Sequence, residues 1–296
     1  LPDGIILKGI GGFYYIMTDK GLFECRARGL FRKEKQTPLP GDKVKISITD
    51  EKGQKGYLEE LLPRKNQIDR PAVANADKVI IVTSAASPEP DLLLIDKLLI
   101  ALELKNIDAY IYINKVDLAA NNSYLTYVEE YRNAGYNILA GSTLEGNIPE
   151  ELESLFREGI TVLAGQSGVG KSTILNNIFS HSIMQTGEVS EKIGRGKHTT
   201  RHAELILLKG GGYVVDTPGF SSFDVISINE SDIQSSYREF KEYFERCKFK
   251  GCSHINEPVC GVKKAVEEGG ISRSRYQRYI QLFNASKLNS SKKYSK

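Results

Sequence analysis

Over the first 64 residues short apolar runs alternate with polar positions. They fall at 4–7, 13–17, 22–25, 44–48 and 57–62, and are broken by Gly11-Gly12, Lys20-Gly21, Pro40-Gly41-Asp42 and Lys52-Gly53. Runs this short, punctuated by turn residues, predict five strands closing into a small barrel of the OB or SH3 type. From 65 to 222 the rhythm lengthens. The run 78–83 reads as a buried strand, and Asp91 can cap a helix over 92–104. A strand follows at 107–113, then a helix capped by Ser123 that runs through Ala134 to a stop at Gly135. Further strands fall at 136–139, 160–164, 203–208 and 213–215, and helices at 171–179 and from Pro149 to 157. Strand and helix in alternation predict an α/β sheet covered on both faces. Beyond 223 the pattern is helical and polar, and no internal repeat is visible.

The phosphate chemistry lies in the middle segment. Gly165, Gln166, Ser167, Gly168, Val169, Gly170, Lys171 and Ser172 satisfy G-x-x-x-x-G-K-[ST], between an expected strand and an expected helix that continues with Thr173. Glycines let the backbone amides turn toward phosphate oxygens, and the helix N-terminus adds a favourable dipole. Lys171 would reach the β- and γ-phosphates, and the Ser172 hydroxyl would ligate Mg²⁺. Asn114, Lys115, Val116 and Asp117 follow another buried strand and match N-K-x-D. A carboxylate there accepts from the ring N–H and exocyclic amine of guanine, a donor pair that adenine lacks. Such a site rejects a mismatched base by on the order of 10⁴-fold or more. Gly141-Ser142-Thr143 resembles the loop that backs the base. Asp216-Thr217-Pro218-Gly219 resembles the D-x-x-G switch, with Asp216 holding Mg²⁺ through water and the Gly219 amide sensing the γ-phosphate. Between loop and switch, Thr200, with Thr199 as the alternative, is the candidate Mg²⁺ ligand of a first switch. The base-reading motif precedes the phosphate loop here, so the order is circularly permuted. That order also puts the second switch directly upstream of the C-terminal segment, where nucleotide state is expected to influence its position.

Cys247, Cys252, His254 and Cys260 crowd into one short stretch, while Cys25 stands apart. Three thiols and an imidazole suit a closed tetrahedral Zn²⁺ site of structural type better than a disulfide framework. Arg246, Lys248 and Lys250 offset the net negative charge of such a centre. Composition adds less: 296 residues, 40% hydrophobic, 26% charged and a net charge of +3 describe an ordinary globular chain. No run approaches the ~20 apolar residues of a membrane span, and no leader pattern opens the chain, so the cytoplasm is expected. From 271 onward there is no acidic residue. There Arg273, Arg275, Arg278, Lys287, Lys292, Lys293 and Lys296 interleave with Tyr276, Tyr279, Phe283 and Tyr294. That pattern suits a surface that neutralises phosphates and stacks bases. The first segment adds Arg26, Arg28, Arg32, Lys33, Lys35, Lys43 and Lys45.

On these motifs, their permuted order and the Cys-x₄-Cys-x-His-x₅-Cys spacing, nearly the whole chain resembles the ribosome small-subunit-dependent GTPase A (RsgA) family. The stretch from Asp69-Arg70-Pro71 to Ala74-Asn75-Ala76-Asp77 shares that look. The resemblance implies an OB-fold RNA-binding barrel over 1–64, a circularly permuted α/β P-loop GTPase domain over 65–222, and a mostly helical zinc domain with a basic tail over 223–296. It implies GTP hydrolysis to GDP and phosphate, with magnesium, stimulated by the small ribosomal subunit and its rRNA in late maturation of that subunit, by a monomer. Phe220 stands where many GTPases place a water-orienting glutamine, and the family's substitute histidine maps onto His198. The local sequence Gly196-Lys197-His198-Thr199-Thr200-Arg201 departs from the expected Arg before the histidine and a third Thr after it. Rival readings are a P-loop kinase, against which N-K-V-D and D-T-P-G argue, and a GTP-sensing RNA scaffold with negligible hydrolysis.

Overall fold

The computed structural model describes residues 1–29, 31, 37–144, 148–182, 203–216 and 228–294, without the side chains of 181, 182 and 289–294. Strands β1 (Asp3–Ile10), β2 (Phe13–Thr18), β3 (Gly21–Ala27), β4 (Lys43–Asp50) and β5 (Lys55–Leu61) close into a barrel in the order β1-β2-β3-β5-β4. All neighbours are antiparallel except β3 and β5. This five-stranded arrangement is that of an OB-fold. Because strand side chains alternate, Ile6, Ile16, Phe23, Cys25, Val44, Ile46 and Leu58 all face inward. Burial raises the Cys25 thiol to about 11, which suits an inert core group.

A two-stranded hairpin, β6 (Gln67–Asp69) and β7 (Ala72–Ala74), leads into a six-stranded sheet. Its strands are β8 (Lys78–Ser84), β9 (Asp108–Asn114), β10 (Asn137–Ala140), β11 (Ile160–Ala164), β12 (Glu204–Leu207) and β13 (Tyr213–Asp216). Their order is β10-β9-β8-β11-β13-β12, parallel throughout except for β12. Continuous apolar runs such as β8 suit a sheet buried on both faces. Val79 and Ile81 point to one side with Ile95 and Leu98 of helix α1 (Leu92–Leu104). Ile80 and Val82 point to the other with Ile174 and Ile178 of helix α4 (Lys171–Ser182). Asp91 caps α1 as expected, Oδ1 accepting from Leu94 N at 2.9 Å. Ser123 does not cap α2 (Leu125–Asn133). Tyr124 occupies that position without a side-chain bond. Helix α3 (Glu150–Ser154) ends earlier than the expected 157.

The C-terminal unit holds α5 (Glu230–Ser236), a 3-10 helix (Arg238–Arg246), α6 (Gly261–Glu267) and α7 (Arg273–Tyr294). Its core gathers Ile233, Tyr237, Phe240, Cys252, Cys260, Val262, Ile271 and Tyr279, and takes in Ile100 of α1. Here part of the basic C-terminal stretch turns out to be interior rather than open surface. Tyr279 is fully buried, and Tyr276 and Phe283 pack against the core. The Arg275 and Arg278 guanidinium groups converge on Asp96 of α1, at 2.7 Å to Oδ1 and 2.6 Å to Oδ2. Arg275 also grips Glu239, with Nε at 2.5 Å and Nη2 at 3.3 Å. Arg278 Nη2 lies 3.1 Å from Glu130 of α2 as an ion pair outside hydrogen-bond geometry. These arginines clamp α7 to α1 and α2. Among the described side chains of that stretch, Arg273 and Lys287 remain exposed. At the other end of the molecule β1 packs on β12, where Lys8 Nζ lies 3.1 Å from Glu204 Oε1, likewise an ion pair rather than an aligned hydrogen bond.

Candidate functional site

Parallel strands deliver their following loops to one edge of the sheet, and the sheet order brings distant motifs side by side. β9 carries N-K-V-D at its end, β8 lies next, then β11, which feeds the glycine-rich loop, then β13, which ends at Asp216. This is the edge at which open α/β sheets bind ligands.

Two glycines are required by close approach. At φ +127°, a Cβ on Gly165 would sit 2.0 Å from the Val82 carbonyl oxygen. On Gly170, at φ +104°, it would sit 2.3 Å from Asn114 Nδ2. Both positions therefore exclude larger residues. Asn114 is buried at the end of β9 and ties three loops together. Its Nδ2 donates to the Val169 carbonyl at 2.9 Å, and its Oδ1 accepts from Thr143 N at 3.2 Å and Thr143 Oγ1 at 3.1 Å. Lys115, in the left-handed region at φ +60°, donates from Nζ to the carbonyls of Gly168 at 2.7 Å and Ser87 at 2.8 Å. Its aliphatic stem thus spans from the N-K-V-D motif to the glycine-rich loop. Val116 begins a 3-10 turn, with its N–H 3.4 Å from the Gly141 carbonyl, and Asp117 stands exposed within that turn. Asp117 is near enough to Tyr112 to add to the burial that raises the phenol of that residue.

Lys171 folds over the glycine-rich loop and donates to the carbonyls of Gly165 and Gln166, both at 2.7 Å. Burial lowers its pKa. Ser167, Gly168, Ser172 and Thr173 are exposed at the mouth, while Val169 is buried beneath it. Ser142 Oγ accepts from Leu144 N at 3.3 Å. Within the Gly141-Ser142-Thr143 loop it is Thr143, not Ser142, that binds Asn114. Asn177 escapes a motif-based reading: from α4 it donates to the Thr143 carbonyl at 3.3 Å, and its only signal in the sequence is its place in the helix that follows the glycine-rich loop. His198, Thr199, Thr200, Gly219 and Phe220 lie outside the described residues, as do Arg32, Lys33 and Lys35.

The second cluster lies in the C-terminal unit. The ligand atoms of Cys247, Cys252, His254 and Cys260 all fall within 4.8 Å of one another. His254 presents Nδ1 to the thiols, 3.5 Å from Cys247 Sγ and 3.3 Å from Cys260 Sγ. Three buried or half-buried thiols and one imidazole, converging from a single loop, fit the donor set of a closed tetrahedral zinc site. Glu257 holds the loop by accepting from Ser253 N, Ser253 Oγ and Ile255 N at 2.7, 2.8 and 3.0 Å.

Together, the sheet order and the loops meeting across Asn114 define a P-loop nucleotide-binding domain with its motifs in permuted order, set between an OB-fold barrel and a helical Cys₃His unit. The chain belongs to the RsgA GTPase family. The RsgA GTPase family model matches residues 61–226, and that of the RsgA N-terminal domain matches 3–58. The chain is 51% identical to the small ribosomal subunit biogenesis GTPase RsgA of Ruminiclostridium cellulolyticum, over 96% of this chain and 93% of that protein. It is 46% identical to the protein of the same name from Alkaliphilus metalliredigens, over 98% and 99%. Among solved structures, YloQ, a circularly permuted GTPase, superposes with a TM-score of 0.82 at 36% identity, over 97% of this chain and 96% of that one. YjeQ from Thermotoga maritima does so at 0.82 and 35%, over 96% and 98%.

Proposed function

We propose that this protein hydrolyses GTP to GDP and phosphate in late maturation of the small ribosomal subunit, stimulated by that subunit, as a cytoplasmic monomer. The observation that carries the reading is the pair of bonds from N-K-V-D into the phosphate loop, Asn114 to Val169 and Lys115 to Gly168. They support a reading in which a purine clamp and a polyphosphate cradle share one mouth. In this reading the Asp117 carboxylate reads the guanine N–H and amine, the Lys115 stem covers the purine, and the Gly141-Ser142-Thr143 loop backs it. The amides of residues 165–173 wrap the phosphates, and Lys171 leaves its carbonyl partners for the β- and γ-phosphates. Mg²⁺ held by Ser172, Thr200 and, through water, Asp216 would neutralise charge on the phosphates. The Gly219 amide senses the γ-phosphate. The neutral His198 imidazole orients the attacking water, a role that the Phe220 ring cannot fill.

The Cys247, Cys252, His254 and Cys260 set would hold one zinc ion, supplying the C-terminal unit with fixed geometry rather than chemistry. For rRNA, support comes from the outer face of the barrel. The strand register lines up Phe13, Arg26 and Tyr57 across β2, β3 and β5, with the Arg26 guanidinium 4.8 Å over the Phe13 ring. A cation between two aromatic rings suits base stacking beside a phosphate backbone. Among the described residues no helix is long and apolar enough to cross a membrane.

The test is GTP hydrolysis in buffer, with large subunits and with small subunits. Turnover alone is expected at roughly 10⁻⁴ s⁻¹, rising by about 10³–10⁵ with small subunits only. Lys171→Ala should lower the stimulated rate by about 10²–10³-fold. Equal rates in all three conditions would refute stimulation by the subunit, and GTP binding with no measurable turnover in any of them would favour a nucleotide-sensing scaffold.

A further inference from the structure

His254 turns its two ring nitrogens to different neighbours. While Nδ1 faces the thiols, Nε2 lies 2.8 Å from the side-chain amide nitrogen of Gln234, in α5. The same amide donates to the Cys252 carbonyl at 2.8 Å. The ring has little room to choose otherwise. It stacks on Phe244, with centroids 5.1 Å apart and planes 6° from parallel, and meets the edge of Phe240 at 6.0 Å. Its own carbonyl accepts from Tyr276 Oη at 2.6 Å, and its backbone sits in the left-handed region at φ +61°.

A neutral imidazole that gives the Nδ1 lone pair to a metal carries its proton on Nε2. That N–H is buried and needs an acceptor. Gln234 is the side chain in reach, and an amide offers either polarity. With nitrogen toward the ring, Nε2 accepts and the proton sits on Nδ1, the atom required for ligation. Rotation about Cγ–Cδ turns the oxygen to Nε2 and selects the opposite, ligating tautomer, giving up the bond to the Cys252 carbonyl and moving the amide away from that oxygen. Hydrogen bonds of this kind orient metal-bound histidines and raise their basicity.

We propose that Gln234 is the outer-sphere partner that fixes the zinc-ligating tautomer of His254. It acts as a positioning residue and supplies no ligand. Its helix is the first described element after the D-T-P-G segment, so the chain leaving the nucleotide site helps to build the metal site. This inference rests on the reading of the Cys₃His cluster as a zinc centre.

The experiment uses the full-length protein and begins with its zinc content. Zinc affinity is then measured by competition with a chromophoric chelator for the wild type, Gln234→Ala, Gln234→Met and Gln234→Glu. Loss of the acceptor, with or without loss of volume, is expected to weaken zinc binding about 10–100-fold in both the Ala and Met variants. Glu retains an oxygen acceptor and should stay within a few fold of wild type. Long-range ¹H–¹⁵N spectra of the zinc-loaded wild type should show His254 ligated through Nδ1 and protonated at Nε2. Zinc on Nε2, or a Met variant within twofold of wild type, would overturn the inference while leaving the zinc reading intact. A wild-type protein without stoichiometric zinc would overturn both. Should the Ala and Met variants fail to fold, the His254 Nε2–H proton resonance of the zinc-loaded protein decides: the carboxylate acceptor of Gln234→Glu should shift it downfield of wild type, and an unchanged resonance would overturn the inference.

Discussion

Asn114 illustrates how much of the nucleotide site rests on one buried amide. It satisfies the Val169 carbonyl in the glycine-rich loop and the Thr143 N–H in the loop after β10, groups that sequence separates widely. Asn114→Ala would leave both without their partner, and each buried unsatisfied group costs about 1–3 kcal/mol. Urea unfolding of the variant should show a loss of about 2–6 kcal/mol for the two groups, and titration with GDP should show weakened binding. A variant as stable and as tight-binding as wild type would mean that the loops do not depend on this link. The motif residues were legible because P-loop and N-K-x-D chemistry demands those residue types at that spacing. The loop holding Thr143 was legible, but its bond to Asn114 was not, and Asn177 was not legible at all. An asparagine within a helix acquires meaning only when folding sets it against the motifs.

At the scale of elements, α7 departs most from its appearance in sequence. Its arginines and tyrosines look like a solvated basic face, but Arg275 lies within 5.5 Å of the rings of Tyr131, Tyr136 and Tyr237, and both arginines end on Asp96. The acids that neutralise them belong to other helices, too far away in sequence for any local charge pattern to show the pairing. Asp96 also accepts from Tyr131 Oη at 2.9 Å. Asp96→Ala would leave two buried guanidinium groups underneutralised, so a loss of about 3–5 kcal/mol in denaturant unfolding is expected. Glu130 gives the same cluster a pH dependence. Burial pushes its carboxyl up, but the hydroxyls of Ser272 and Ser274 and the Arg278 guanidinium outweigh that and hold its pKa below the ordinary 4.5. A carboxylate lowered in the folded state stabilises it fully above that ordinary value and loses the contribution as pH falls through the folded one. The stability gap between wild type and Glu130→Gln should therefore be constant near neutrality and close below about pH 4.5. A gap that widens on acidification would contradict this.

Across the whole molecule, the joints between the nucleotide-binding sheet and its neighbours include, among the described residues, the Asp96 clamp to α7, the Glu103 pairs with Arg238 and Lys241, and the Lys8–Glu204 pair to the barrel. Glu204 opens β12 directly opposite Asp216 of β13, so the barrel packs on the strand beside the carboxylate proposed to hold Mg²⁺ through water. Lys8→Met and Glu204→Gln, alone and together, should yield a coupling energy of about 0.5–3 kcal/mol in a double-mutant cycle on stability. If the barrel informs the nucleotide site through this joint, each single variant should also reduce stimulation by the small subunit; additive stabilities with unchanged stimulation would count against it. Several features were settled by sequence alone: the alternation of strand and helix, the phosphate and base motifs and their permuted order, and the Cys-x₄-Cys-x-His-x₅-Cys set. Each depends on local periodicity or on residue types that few other chemistries require. The strand order that brings those motifs to one edge, the Asn114 staple, the burial of the C-terminal arginines and the Gln234–His254 contact were decided by tertiary structure. They depend on which distant surfaces meet, and a buried charge or amide takes its partner from the element packed against it, not from its neighbours in the chain.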